Sequence, residues 1–165
     1  MAMTMQPNPY GPDLGTRDAR EAMGETPQKI RAAVEGWTEA DFERTYAPGK
    51  WSIRMVLIHL AQTELALTTR VRFALSQPAY AAQSFSQDDW IGIDANSDAR
   101  TALDAYTALR RFNLAMFRSL TSEQRNRTFS HPEYGSLTVE WVANQIAGHD
   151  IHHLRQLEMI SDSRL

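Results

Sequence analysis

Helical periodicity with recognisable start signals constrains this chain more than any other feature. Four long segments repeat apolar residues at steps of three and four, and each follows a residue that suits a helix N-cap. The predicted helices begin at Thr26 (followed by Pro27), Ser52, Ser97 and Thr138. We expect the first to end near Gly36, the second near Ser76 and the last almost at the C-terminus. No segment alternates like a half-buried strand, so the sequence predicts an all-α fold.

The chain of 165 residues is long enough to bury a core but short for two domains, so we expect a single domain over residues 1–165. The connection between residues 77 and 96 is long for a helical bundle and has no clear period. Such a segment is typical of a crossover or a lid. Residues 37–52 and 120–138 resemble each other, each with a Thr-capped short helix and a Pro/Gly turn, but capping chemistry alone explains that likeness.

Composition excludes several classes of function. The formal net charge of −3 gives no basic surface for nucleic acid or an anionic membrane. The opening residues lack a charged segment followed by an apolar one, so we expect a soluble, cytoplasmic protein with neither a nucleic-acid nor a membrane partner. The chain has no cysteine, which rules out a disulfide, a thiolate metal site and a cysteine nucleophile. Any metal must therefore be held by His, Asp or Glu.

Three of the five histidines fall within the stretch GHDIHHLRQL, residues 148–157. His149 and His153 are four residues apart, so they share one face of the last helix, the face that also carries Ile146. His59 occupies a comparable face of the second helix. We predict that these three rings point into the protein.

Inward-facing histidines restrict what the interior contains. A buried neutral imidazole needs partners for both ring nitrogens, and an unmet one costs about 1–3 kcal/mol. A divalent ion satisfies three rings together, at about 2.0–2.1 Å from one nitrogen of each, and leaves a position for water or substrate. The alternative is that these are hydrogen-bonded core histidines without an ion. The spacing alone leaves both interpretations open.

The other polar residues near this region have plainer interpretations. We predict that His152 faces solvent or donates to a ligand, and that His131 lies in a loop. Asp150 and Glu64 are interpreted as exposed helix carboxylates, and the four tryptophans as packing residues. Two further residues are interpreted as core amides: Gln62 and Asn113. The His-Asp-x-x-His pattern is close to that of metallopeptidases, but aspartate is shorter than their glutamate base and no later histidine follows.

Two longer motifs resemble a known family. PGKWSIRMVLIHLAQTE and, further along, HPEYGSLTVEWVANQIAGHDIHHLRQLE are similar to motifs of the DinB/YfiT-like superfamily of predicted metalloenzymes. The opening NPYGPDLGTRDAREAMGETPQKI and the FSQDDW of the long connection are similar to it as well, so the likeness covers nearly the whole chain.

The resemblance implies a four-helix bundle with an up-down-down-up path, a crossover between helices two and three, and a homodimer in many members. It implies a metal triad of His59, His149 and His153, usually with nickel or zinc. It assigns no catalytic residue beyond that triad.

From the resemblance we expect a metal-dependent enzyme with a small-molecule substrate. It would be an S-transferase that uses a low-molecular-weight thiol such as mycothiol or bacillithiol, or a hydrolase. The alternative is a non-catalytic bundle that binds a metal or another ligand.

Overall fold

The computed structural model describes residues 6–162. In chain order its elements are α1 (Gly11–Leu14), α2 (Ala19–Ala33), α3 (Glu39–Phe42), α4 (Ile53–Ser76), α5 (Gln87–Ile93), α6 (Ala99–Ser119), α7 (Ser122–Arg125), β1 (Thr128–His131), β2 (Gly135–Thr138) and α8 (Val139–Asp162). The four long helices α2, α4, α6 and α8 form a bundle, so the predicted four-helix fold is confirmed. Among the described residues, no helix is both long and apolar enough to cross a membrane.

The predicted caps account for two of the long helices. Ser52 and Thr138 begin α4 and α8, and each accepts a hydrogen bond from the backbone three residues further on. The third helix starts one residue later than predicted. Its cap is Asp98, not Ser97, and the carboxylate accepts a hydrogen bond from the backbone N–H of Thr101 at 2.8 Å. A carboxylate also suits the positive end of the helix dipole.

The start predicted for the first long helix is wrong. Thr26 does not cap a helix, because α2 begins after Asp18 and continues through Pro27. Proline has no N–H to donate to the carbonyl of Met23, four residues earlier. The guanidinium of Arg110, on α6, donates to that carbonyl at 3.2 Å. A side chain from another helix thus replaces the missing backbone hydrogen bond and lets the helix continue.

Contacts at the helix ends establish the up-down-down-up path. Arg20, in the first turn of α2, forms an ion pair with Glu140, in the first turn of α8, so these two helices start at the same end of the bundle. Arg54, in the first turn of α4, donates to the carbonyl of Ala95 just before α6, at 2.7 Å. Helices α4 and α6 are therefore parallel. The segment between them, which contains α5, is the predicted crossover.

A small antiparallel sheet is the main departure from the predicted all-helical chain. Strands β1 and β2 pair Phe129 with Leu137, and both of these side chains are buried. Gly135 adopts a φ of 69° at the turn, a conformation that few other residues tolerate. Each strand has only four residues, which is too short for alternation to stand out in the sequence.

The apolar core is divided into two parts by a buried polar layer. One part contains Met23, Leu67, Phe117 and Ile146, and the other contains Ile30, Leu57, Tyr106 and Leu157. Between them each long helix contributes buried polar side chains: Thr26 from α2, His59 and Glu64 from α4, Arg110 and Asn113 from α6, and His149, Asp150 and His153 from α8. The histidines therefore lie at mid-height of the bundle.

Candidate metal centre

The structure brings the three predicted histidines together. The Nε2 atom of His149 lies 2.8 Å from Nε2 of His59 and 3.1 Å from Nε2 of His153. The residues are 4%, 3% and 8% exposed respectively. Helix α4 supplies His59, and α8 supplies the other two from successive turns. Three ring nitrogens from two helices thus converge on one point in the interior.

Protons alone do not satisfy these nitrogens. Nδ1 of His153 lies 2.7 Å from Oε1 of Gln156. An amide oxygen only accepts, so Nδ1 carries the proton and Nε2 presents a lone pair to the other rings. His149 Nε2 contacts both neighbours but offers a single hydrogen or a single lone pair. One cation accepts lone pairs from all three nitrogens at once.

The two distances from His149 to the other rings fit such a cation. Two ligands about 2.0–2.1 Å from an ion, separated by about 90–110°, lie about 2.8–3.4 Å apart. The observed separations of 2.8 and 3.1 Å match the lower part of that range. Within residues 6–162 the Nδ1 atoms of His59 and His149 have no hydrogen-bond partner. His149 Nδ1 lies 3.9 Å from Oδ1 of Asp150, close to the position of a supporting carboxylate.

Burial also keeps the rings in the form that binds metals. It lowers the pKa of His59 to about 3, with a smaller contribution from His149. Burial likewise lowers the pKa of His153 well below its ordinary value. The imidazoles of His59 and His153 are therefore neutral at physiological pH, and this is the state that metal binding requires.

Behind the rings lies a buried ion cluster that corrects the sequence interpretation. Asp150 and Glu64 are predicted to be exposed, but each is only 1% exposed. The guanidinium of Arg110 lies between them, 2.5 Å from Asp150 Oδ2 and 2.6 Å from Glu64 Oε1. Two carboxylates and one guanidinium leave a net charge of −1 beside the histidines.

Hydrogen bonds complete the environment of both carboxylates. Asp150 accepts from the Tyr106 hydroxyl at 2.8 Å and from Thr26 at 3.1 Å. Asn113 donates to Glu64 at 2.8 Å, which confirms Asn113 as a hydrogen-bonded core amide. Burial acts to raise the pKa of Asp150, but Arg110 and His149 together outweigh it and hold that pKa well below the ordinary value. Asp150 is therefore ionised at neutral pH.

Two cavities reach the three rings. One of about 210 Å³ is lined by His59 and His149, and another of about 340 Å³ is lined by His153. Tyr10 and Gln87 line both cavities. The three rings thus meet two separate spaces that a small molecule can enter.

Tyr10 is a site residue that the sequence interpretation missed. Its ring packs edge-on against His149, with the centroids 5.0 Å apart. The segment before α2 passes so close to α8 that a Cβ at Gly148 would lie 2.2 Å from the Tyr10 carbonyl oxygen. Only glycine permits this approach. The only sequence signal was a glycine inside the helix directly before His149.

The two remaining histidines lie outside the cluster. His152 is partly exposed, with Nδ1 3.7 Å from a carboxylate oxygen of Asp13. His131 does not lie in a loop as predicted, because it is a buried residue of β1. Its Nδ1 accepts a hydrogen bond from the backbone N–H of Glu133 at 3.2 Å, and its ring lines the cavity of about 210 Å³.

The tryptophans divide into two pairs. Trp37 and Trp141 are buried packing residues, as predicted. Trp51 lies edge-on to His59, with centroids 5.1 Å apart, and lines the cavity next to His153. Trp90 lines a further cavity. Two of the four therefore border spaces open to small molecules, which the packing interpretation did not include.

Comparison with known proteins establishes the family. A family model described as the DinB superfamily matches residues 22–157. The chain belongs to the DinB superfamily. This membership confirms the resemblance carried by the two motifs.

DinB-superfamily relatives carry names that refer to a metal. YfiT of Bacillus subtilis, named as a predicted metal-dependent hydrolase, is 26% identical over 144 residues, which cover 86% of this chain and 81% of YfiT. A protein of Oceanobacillus iheyensis with the same kind of name is 25% identical over 132 residues, or 79% of this chain and 76% of the relative.

Solved structures share the DinB-superfamily fold. The YfiT structure, described as a four-helix bundle of unusual topology, superposes with a TM-score of 0.81 at 26% identity, covering 88% of this chain and 85% of that one. The mycothiol-dependent maleylpyruvate isomerase superposes with a TM-score of 0.67 at 9% identity, covering 84% and 59%. The second likeness shows the fold alone.

Proposed function

We propose that this DinB-superfamily protein is a metal-dependent enzyme in which His59, His149 and His153 hold a divalent cation, zinc or nickel. The observation that carries the proposal is the convergence of three buried Nε2 atoms. That of His149 lies 2.8 Å from that of His59 and 3.1 Å from that of His153, and protons alone cannot satisfy all three. The names of the relatives support it. The thiol, the homodimer and the cytoplasmic location stay predictions.

A divalent cation with three protein ligands and an open position lowers the pKa of a water or thiol there toward neutrality. The chain's own residues prepare that site. Gln156 holds the proton of His153 on Nδ1, away from the centre. Asp150 places a negative charge behind His149. Tyr10 and Trp51 pack against the rings and limit the access of bulk water.

Hydrolysis of a small ester or amide is the first candidate reaction. It matches the names of relatives that align with more than three quarters of this chain. It also needs no second organic reactant, because water is the nucleophile.

Thiol transfer is the second candidate, and one observation favours it. A transferase must hold two reactants, and two cavities border the histidines, one at His59 and His149 and the other at His153. Because the chain has no cysteine, the thiol must arrive on a cosubstrate.

Metal content tests the ligand assignment. Protein purified without an immobilised-metal column is expected to contain about one zinc or nickel ion per chain. The variant His153→Ala should lose that ion, whereas His152→Ala, the matched control at the adjacent position, should retain it. Full metal content in His153→Ala, or a wild-type protein that neither contains nor binds an ion, would overturn the assignment.

Turnover separates the candidate reactions. Esters and amides are supplied to the metal-loaded protein with and without low-molecular-weight thiols, and both product formation and thiol consumption are followed. Turnover without thiol supports hydrolysis, and turnover that consumes thiol supports transfer. Full metal content without turnover in either assay favours the non-catalytic bundle. Whichever activity is found, hydrolysis or thiol transfer, His153→Ala must abolish it.

A further inference from the structure

The cavity beside the histidines extends along α4 as far as an arginine. His59, Thr63, Leu67 and Arg70 follow one another at steps of four, four and three, so they lie on one face of the helix, and all four line the cavity of about 210 Å³. His59 and Arg70 are eleven residues apart in α4, so their α-carbons lie about 16 Å apart along the helix axis. The cavity thus connects His59 and His149 to a cation more than two helical turns away.

No described carboxylate lies within ion-pair distance of Arg70. One of its N–H groups donates to the backbone carbonyl of Gln83 at 2.6 Å, and it forms no ion pair with any residue that the structure describes. A guanidinium has five N–H donors, so several stay available. Glu133 lines the same cavity, but it is exposed, lies beyond ion-pair distance and accepts a hydrogen bond from Ser84 at 3.1 Å.

Two further donors line the same cavity. His131 Nδ1 accepts hydrogen bonds from backbone N–H groups, so the proton of the neutral ring lies on Nε2. Burial, with Arg70 adding to it, lowers the pKa of His131, which keeps the ring neutral. Thr63 is 4% exposed, and its hydroxyl has no partner among residues 6–162. A helical threonine can donate to the carbonyl four residues earlier, but Thr63 does not, and its unpaired buried hydroxyl is free to donate to a ligand atom.

A second, larger space begins on the other side of Arg70. Its volume is about 570 Å³, and Arg70 and Phe85 line both this cavity and the smaller one. Its other walls include aromatic rings, with Phe85 against Trp90 at 4.8 Å and Phe73 against Tyr80 at 5.3 Å between centroids. Aromatic walls favour an apolar part of a ligand.

Resting on the proposed function, we infer that the substrate is an organic carboxylate bound at three points. Its carboxylate pairs with Arg70 and accepts from Thr63 and His131, its apolar part lies in the aromatic cavity, and its reacting group reaches the cluster at His59 and His149. A guanidinium matches a carboxylate with two parallel hydrogen bonds. The negative charge of Glu133 at the same cavity disfavours a doubly charged group such as phosphate.

Calorimetric titration of the purified protein with 4-phenylbutyrate and with its neutral amide, 4-phenylbutyramide, tests this inference. The two probes share a shape and differ in charge. Wild-type protein is expected to bind the carboxylate about ten- to a hundredfold more tightly than the amide. Arg70→Gln should abolish that preference. Arg72→Gln is the matched control, because Arg72 packs over Phe112, away from both cavities.

A carboxylate that binds a metal ion gives a different pattern. If an ion causes the preference for the carboxylate over the amide, that preference persists in Arg70→Gln and disappears in His153→Ala. If Arg70 causes it, the preference disappears in Arg70→Gln and persists in His153→Ala. The inference and the proposed metal site can thus fail independently. Equal binding of both probes to the wild type, no binding of 4-phenylbutyrate at about 10 mM, or an undiminished preference in Arg70→Gln would overturn the inference.

Discussion

Replacing Arg110 with methionine tests the buried polar layer directly. Arg110 is 1% exposed and is the cation between Glu64 and Asp150. Removing one partner of a buried ion pair costs about 3–5 kcal/mol, because the remaining charge loses its compensation. The Met23 carbonyl, which accepts from Arg110 because Pro27 cannot donate, loses its partner as well and adds about 1 kcal/mol.

Arg110→Met is therefore expected to lower the free energy of unfolding by about 4–6 kcal/mol, out of about 5–15 kcal/mol for a domain of this kind. The corresponding decrease in Tm is about 10–20 °C. Urea unfolding followed by circular dichroism, with a chelator present to remove any metal contribution, measures the change. Arg111→Met is the control, since Arg111 is the adjacent, exposed arginine and its loss should cost at most about 0.5 kcal/mol. If the free energies of unfolding of the two variants differ by less than about 1 kcal/mol, the buried ion cluster does not stabilise the protein as argued.

The pH dependence of the free energy of unfolding is a second test of the same variant. In the wild type the pKa of Asp150 is below its ordinary value. The ionised Asp150 carboxylate therefore stabilises the folded protein above about pH 4, the pKa of an aspartate in the unfolded chain. This stabilisation is lost as the pH falls toward the lower pKa that Asp150 has in the folded protein. In Arg110→Met, burial without a cation raises the carboxylate pKa, so protonation favours the folded state. The stability difference between wild type and variant should narrow from pH 7 to pH 5, and a constant or widening difference refutes the account.

Two other substitutions test the surroundings of the rings. Gln156→Leu removes the acceptor that holds the His153 proton on Nδ1, so the affinity for zinc, measured by competition with a chelator, should fall about 10–100-fold; an unchanged affinity contradicts this role. Alanine in place of glycine normally stabilises a helix by about 1 kcal/mol, but Gly148→Ala should destabilise by about 1–3 kcal/mol, because its Cβ would overlap the Tyr10 carbonyl. Gly92→Ala, where a Cβ meets open space, is the control, and equal unfolding midpoints for the two variants would refute the clash.

The sequence predicts the long helices and the facing of the histidines well, because both depend on local rules. The caps Ser52 and Thr138 are local hydrogen bonds, and a spacing of four residues places His149 and His153 on one face whatever the rest of the chain does. The proximity of His59 to these two residues depends on how α4 packs against α8. Periodicity predicts that His59 faces the interior but does not predict which residues it contacts there. The family resemblance supplied that step.

The buried charges were missed because their burial depends on partners from other helices. Asp150 follows His149 by about 100° around α8, which points it away from the predicted buried face. One signal was present in the third helix. Leu103, Tyr106, Arg110, Asn113 and Phe117 follow steps of three and four, so an arginine interrupts an apolar face. A charge in that position requires a buried carboxylate elsewhere, and in the structure Glu64 and Asp150 supply it.

Stability alone does not explain why the layer is charged. Replacing a whole buried ion cluster with well-packed apolar side chains is often neutral or stabilising. The cluster of Glu64, Asp150 and Arg110 has a net charge of −1 and lies directly behind His149. Three neutral imidazoles would not offset the charge of the proposed divalent cation, and the formal charge of the cluster would offset half of it. With that cation bound, the remaining charge of +1 would attract an anionic nucleophile or substrate, which agrees with the guanidinium of Arg70, without an ion pair, at the other end of the same cavity.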